Sequence, residues 1–157
     1  MSIVPAPPGG PYPGGPYLQL AAFCDLAIED KNGALSLIRV VDRLTHQAVG
    51  PQAPVEMPPT VHKMTLVVSL KSGHARGPHA VKLVIERPSG LREDGPTFTA
   101  MMEGEDRGQN LVLNLQQIFS EPGLYWYDVF VNDALMTRIP WRVVYSRTLV
   151  PGPSQSS

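Results

Sequence analysis

Residues 121–145 read EPGLYWYDVFVNDALMTRIPWRVVY. Apolar and aromatic residues recur at every second position over 124–131 and again over 135–145. A period of two is typical of β-strands, whose successive side chains point to opposite faces of a sheet. Asn132-Asp133 separates the two runs, and this spacing predicts a tight antiparallel hairpin. Pro140 inside the second run indicates an edge position or a bulge, because proline cannot donate to a strand ladder.

A Gly-x-Tyr step, Gly123-Leu124-Tyr125, opens the first of these strands. It resembles the tyrosine corner of immunoglobulin-like sandwiches, in which a tyrosine hydroxyl ties the strand to the connection before it. Antibody domains place a cysteine two residues later, whereas this chain has Tyr127 there. The resemblance is therefore to the sandwich architecture and not to antibody domains.

Short alternating runs upstream are separated by turn signals such as Asn32-Gly33 and Pro88-Ser89-Gly90. Only residues 111–119 leave a short helix open as an alternative. Many short strands without crossover helices are typical of antiparallel sandwiches and barrels. We therefore predict an all-β fold, an immunoglobulin-like antiparallel β-sandwich of about eight strands. The predicted strands are 18–28, 34–44, 61–71, 80–87, 96–102, 110–116, 124–131 and 135–145.

The first predicted strand has one strongly apolar alternating set, formed by Leu20, Cys24, Leu26 and Ile28. We predict that this set faces the core. A thiol buried in a core is chemically inert, so Cys24 is not predicted to be a nucleophile.

Composition and charge exclude several classes of function. The chain has 157 residues, enough for one domain, and 43% of them are hydrophobic. Its 13 Lys and Arg against 14 Asp and Glu give a net charge of −1, which argues against a nucleic-acid binder that works by bulk charge. One cysteine allows no internal disulfide, and a reducing cytoplasm is the expected location. The sequence predicts neither a signal peptide nor a membrane span.

Residues 1–17 are predicted to form a disordered arm, because they are rich in proline and glycine and contain GGPY twice. The arm also contains PxxP spacings, with Tyr12 and Tyr17 beside prolines. Such a segment suits docking into an aromatic groove of a partner, and a solubilising spacer is the alternative. The β-sandwich domain is predicted over 18–146, and a flexible C-terminal tail over 147–157.

Three segments carry a resemblance to a known family. They are LAAFCDLAIEDKNGALSLIRVVDRLT at 20–45, VIERPSG at 84–90, and the C-terminal stretch at 121–145. Together they resemble an uncharacterised family of small bacterial β-sandwich proteins, classed as a domain of unknown function. The resemblance implies a β-sandwich in a bacterial cell, and it brings no established activity and no functional residues.

Candidate chemistry in the sequence is sparse. Motifs for nucleotide binding, zinc-dependent hydrolysis and a serine nucleophile do not occur, and no cofactor is expected. His62, His74 and His79 lie in and around one predicted loop, and imidazoles suit zinc or nickel. Their spacing matches no recognised ligand pattern, so solvated loop histidines are the other interpretation. A metal-dependent enzyme using this His-bearing loop is therefore kept as an alternative function.

Aromatic residues supply the predicted binding surface. On strand 124–131, Trp126, Asp128 and Phe130 share one face, and the opposite face carries Tyr125 and Tyr127. If one face is the core, the other presents aromatic side chains, which are favoured interface anchors. We predict a non-enzymatic protein-binding or adaptor module that binds another protein and neither nucleic acid nor membrane. A structural subunit or homo-oligomer formed by edge pairing at the Pro140 strand is a further alternative. The predicted protein-binding residues are Trp126, Phe130, Trp141, Tyr12 and Tyr17.

Overall fold

A computed structural model of the chain describes Ile3 and residues 13–149. Within this part, the secondary structure consists of seven strands. Every strand pair is antiparallel except β3 and β7, which run parallel. The described residues form no helix that is long and apolar enough to cross a membrane. The strands are β1 (Tyr17–Glu29), β2 (Leu35–Val41), β3 (Arg43–Val49), β4 (Thr60–Glu86), β5 (Arg92–Phe119), β6 (Gly123–Val131) and β7 (Ala134–Thr148).

The long strands β4 and β5 run through both layers of a sandwich. The first half-sheet contains β2, β1, residues 60–71 of β4 and residues 108–119 of β5, in that order. The second half-sheet contains residues 92–103 of β5, residues 76–86 of β4, and then β6, β7 and β3. The prediction of an all-β antiparallel sandwich is thus confirmed, with one parallel pair added at the edge.

Strand boundaries differ from the prediction because the chain bends without breaking its ladder. Predicted strands 61–71 and 80–87 are both part of β4, and strands 96–102 and 110–116 are both part of β5. The ladder shifts register on both sides of Gly73, whose positive φ of 60° is freely available to glycine. The predicted strand 34–44 is divided at Asp42, where the chain passes from the first half-sheet to the second.

The core lies between the two half-sheets. Phe23 of β1 meets the edges of Tyr127 and Trp141, with ring centroids 5.0 and 4.9 Å apart. Around these rings pack aliphatic side chains such as Leu66 and Val129. This contact between one half-sheet and the other encloses the apolar surface that stabilises the fold.

The prediction of which face of β1 points into the core is wrong. Phe23 packs in the core, so Cys24, the next residue in the strand, faces the opposite side. Cys24 is nevertheless buried, and burial raises the pKa of its thiol. Leu26 and Ile28 are exposed, because β1 leaves β4 after Cys24 and continues only as a hairpin with β2.

Both ends of the domain extend further than predicted. Residues 13–17, assigned to the arm by sequence, pack against the bend in β4, where the His74 amide donates to the Gly14 carbonyl. A Cβ on Gly73 would overlap Gly14 and Tyr17, so this close approach requires glycine. At the other end, β7 extends through Thr148. Apart from Ile3 and Leu149, which are exposed, the remainder of the predicted arm and tail lies outside the described residues.

The tyrosine corner is present. The Tyr125 hydroxyl donates to the Glu121 carbonyl at 2.7 Å, and the tyrosine ring is buried against Phe119. Burial raises the pKa of Tyr125, so its hydroxyl remains a donor at neutral pH. The bond fixes the entry of β6 to the preceding connection, as in immunoglobulin-like sandwiches.

Replacing Tyr125 with phenylalanine is expected to lower the free energy of unfolding by about 1–2 kcal/mol, because a half-buried carbonyl loses its donor. Urea denaturation measures the change. Tyr145→Phe is the matched control, since the Tyr145 hydroxyl also donates to a backbone carbonyl, that of Pro54 at 2.6 Å, but at an exposed position. Equal losses in the two variants would contradict a structural role for the corner.

Candidate protein-binding surfaces

Strand β6 has the two faces that the sequence predicts. Tyr125 and Tyr127 are buried in the core, whereas Trp126 and Phe130 lie half-buried on the outer face of the second half-sheet. Between the two aromatic residues lies Asp128, whose side chain is only 3% exposed. The outer face is therefore not a continuous aromatic surface.

Four charged side chains close around Asp128, and we call Glu86, Arg92, Asp128 and Arg138 the charge ring. Asp128 accepts from Arg138 at 2.7 Å and pairs with Arg92 at 3.0 Å. Glu86 pairs with the same two arginines, at 2.8 Å to Arg92 and 3.1 Å to Arg138. The Asp128 carboxylate raises the pKa of Arg138, and the hydrogen bond from Arg92 lowers that of Glu86. Each charge in the ring has two opposite partners.

The charge ring also covers one of the predicted anchors. The Arg138 guanidinium lies 4.7 Å from the centroid of the Trp126 ring, a cation–π contact. Strand register places Arg138 opposite Asp128, and Pro140 opposite Trp126. The charged groups on this face thus pair with one another. Trp126 and Phe130 are partly covered side chains on the same face.

The remaining predicted anchors are dispersed. Trp141 is fully buried between Phe23 and His62, so its assignment to a binding surface is corrected: it is a core residue. Tyr17 is exposed at the start of β1, beside the bend in β4. Tyr12 lies outside the described residues. Of the four predicted residues that the structure describes, only Trp126 and Phe130 share a surface.

A different apolar surface lies on the β1–β2 hairpin. Leu26 and Ile28 of β1 are 50% and 48% exposed, and Ile38 and Val40 of β2 are 46% and 65% exposed. Leu26 lies directly opposite Ile38 in the ladder, so these side chains share one side of the hairpin. We call these four residues the aliphatic face.

The opposite side of the hairpin lies towards the β4 and β5 strands of the first half-sheet. Leu35 and Leu37 are half-buried and line a groove of about 420 Å³ together with Gln19, Ser69 and Asn110. The Asn110 amide donates to the Gly33 carbonyl at 3.1 Å and holds the hairpin tip in place. At the turn itself, the Asp30 carboxylate accepts from the backbone amide of Asn32 at 2.7 Å. The hairpin is thus an ordered element that presents the aliphatic face outwards.

Sequence reasoning missed the aliphatic face because alternation identifies a two-faced strand without identifying what covers either face. One signal was available. In LSLIRVV at 35–41, Leu35 and Leu37 fall on one face while Ile38 and Val40 fall on the other, so β2 is apolar on both faces. A two-stranded element with two apolar faces can bury only one of them against its own sheet.

The structure does not gather His62, His74 and His79 into one group of possible metal ligands. His62 lies between Phe119 and Trp141, and burial lowers its pKa. His74 lies at the bend of β4, and the His79 ring contacts the Gly77 carbonyl instead of another histidine. Over residues 13–149, no group of three or more His, Cys, Asp or Glu side chains is placed to hold a metal ion.

Comparison with solved structures gives distant likenesses. An immunoglobulin-like protein from Pseudomonas aeruginosa has a TM-score of 0.39 at 16% identity, over 81% of this chain and 94% of that one. A β-glucosidase from Listeria innocua gives 0.41 at 10% identity, over 66% of this chain and 15% of the enzyme. The alkylpurine DNA glycosylase AlkC from Pseudomonas fluorescens gives 0.37 at 15% identity, over 56% and 29%. The chain thus spans less than a third of the length of either enzyme.

Sequence comparison identifies the family. No curated protein matches the chain. One family model matches residues 19–144, which include all seven strands except their outermost residues. The chain belongs to this family, a family of unknown function (DUF6941).

Proposed function

We propose that this protein is a non-enzymatic protein-binding module and that the β1–β2 hairpin is its docking element. The observation that carries the proposal is the aliphatic face, four side chains on one side of the hairpin that are each about half exposed. Soluble proteins rarely leave such a contiguous apolar surface uncovered unless it has a partner. We propose that the partner is encountered in the cytoplasm, where Cys24 remains reduced.

The hairpin suits a partner that supplies an extended strand. Strand β2 is the last strand of the first half-sheet, so its outer edge presents unpaired backbone groups to a neighbour. An added strand would form main-chain hydrogen bonds with β2, while its aliphatic side chains covered Ile38 and Val40. Burying the exposed halves of four aliphatic side chains contributes about 3–6 kcal/mol before the entropic cost of association.

Replacing Val40 with lysine is expected to reduce capture of the partner at least about tenfold, because a charge then faces the apolar contact. The measurement is affinity capture from the native host with quantitative mass spectrometry, using the full chain as bait. Val49→Lys is the matched control, since Val49 is 58% exposed on the edge strand β3. Equal thermal stability of the two variants shows that neither is unfolded.

Three outcomes separate the candidate surfaces. Capture lost in Val40→Lys and kept in Val49→Lys supports the hairpin. Capture that survives Val40→Lys but is lost in a chain starting at Pro13 would overturn the hairpin in favour of the arm that contains Tyr12. Capture lost only in Phe130→Ala would place the contact on the outer face of β6.

A further inference from the structure

Sheet edges are sites where unpaired backbone groups invite further pairing, and soluble proteins protect them with charges, prolines or short strands. Four edges of this sandwich carry charges or prolines that disfavour the pairing of an edge with its own copy. Strand β2 has Arg39 at its centre, and β3 begins at Arg43. The part of β7 that precedes the β3 contact contains Arg138 and Pro140. Residues 92–103 of β5 contain Arg92, Glu93, Asp94, Pro96 and Glu103.

The edge at the C-terminal half of β5 has no such protection. Residues 108–119 of β5, which we call the β5 edge, read GQNLVLNLQQIF and contain no charged residue, no histidine and no proline. They pair with β4 on one side, and the described residues supply no strand on the other. Side chains also fasten this edge to β4, because Ser69 and Thr65 of β4 donate to Asn110 and Asn114 at 2.6 and 3.1 Å.

We propose that two copies of this chain associate by antiparallel pairing of their β5 edges, which extends the first half-sheet across a two-fold axis. In such a pair, residues near the axis face their own copies, so a charge there would meet a like charge. The β5 edge contains no charged residue, so no register of its pairing with a second copy produces that repulsion.

The length of the edge fits a specific dimer. Twelve paired residues span about 40 Å at about 3.4 Å per residue. Antiparallel pairing over that length forms about 10 backbone hydrogen bonds, the number found in a typical protein interface. In the strand order β2 lies at the other end of this half-sheet, and only the hairpin tip reaches the β5 edge, through the bond from Asn110 to Gly33. The aliphatic face contains no residue of the β5 edge, so the proposal of self-association through β5 stands independently of the proposed function.

Gln116→Lys tests the pairing, because Gln116 is exposed on the β5 edge and its replacement leaves the core unchanged. Sedimentation velocity of the full chain, from about 1 µM to about 1 mM, is expected to show a monomer–dimer equilibrium. The variant should weaken the dimer by about tenfold or more, since it places a lysine inside the paired segment of each copy, and edge lysines oppose strand pairing. Gln47→Lys makes the same change at an exposed position of β3 and should leave the dimer unchanged.

Amide hydrogen exchange gives a second measurement. Protection of amides in residues 108–119 should increase with protein concentration, whereas protection in β3 should not. A chain that remains monomeric at the highest concentration, or a dimer equally stable in Gln116→Lys and Gln47→Lys, would overturn the proposal. So would a dimer weakened by Val40→Lys alone, since that result assigns self-association to the hairpin.

Discussion

Replacing Trp141 with alanine should lower the free energy of unfolding by about 3–5 kcal/mol, the largest loss expected from a single substitution in this chain. Trp141 is fully buried and contacts Phe23 of β1 and His62 of β4. It therefore joins the two half-sheets, and its removal leaves a cavity at their contact. Urea denaturation with an unchanged m-value measures the loss.

The second tryptophan is the matched control. Trp126→Ala removes the same side chain from a half-buried position, where the Arg138 guanidinium makes a cation–π contact with the ring. Such a contact contributes about 0.5–1 kcal/mol at an exposed site, so the loss should be clearly smaller than at Trp141. Equal losses in the two variants would contradict the assignment of Trp141 to the core and Trp126 to the outer face.

A conservative change at Trp141 separates packing from hydrogen bonding. The buried indole N–H finds no hydrogen-bond partner among the described residues. Trp141→Phe therefore removes volume and an unsatisfied donor at once, and the second effect offsets part of the first. We expect its loss to be less than half that of Trp141→Ala.

Local pattern was sufficient to predict the strands and the tyrosine corner. The alternation over 124–131 depends only on neighbours in sequence, and it correctly divided Tyr125 and Tyr127 from Trp126 and Phe130. The number of strands was not predictable in the same way. The Gly73 bend lets β4 continue where the turn signals at 72–79 indicated a loop.

The inward face of β1 and the location of Trp141 depend on distant contacts. Whether Phe23 or Cys24 enters the core is decided by β6 and β7, about a hundred residues later in the chain. Likewise, the exposure of Leu26 and Ile28 follows from where β1 separates from β4. Periodicity assigns residues to faces, and only the assembled sheet assigns faces to core or solvent.

The charge ring gave no signal in the sequence because its four members come from four strands. Asp128 and Arg138 meet only through the register of β6 and β7, and Glu86 and Arg92 only through that of β4 and β5. Its effect on stability depends on burial. Asp128 is 3% exposed, while Arg92 and Arg138 are 42% and 38% exposed.

Replacing Arg92 and Arg138 together with glutamine should therefore destabilise the fold far more than the two single changes do in sum. Each single variant leaves Asp128 with one arginine, and solvent screens a pair at this exposure, so each should cost no more than about 1 kcal/mol. The double variant leaves the buried carboxylate without a cation, which costs about 3 kcal/mol or more. A double-mutant cycle by urea denaturation measures the excess.

Adding Asp128→Asn to the double variant identifies the cause. If the loss comes from an unpaired buried charge, removing that charge should restore much of the stability, because a neutral amide is cheaper to bury than a carboxylate. If the loss came only from missing arginine packing, the triple variant would be no more stable than the double. A second result would also contradict the charge ring as a unit: a double variant whose loss in the free energy of unfolding equals the sum of the two single losses. Each ion pair would then be an ordinary surface contact.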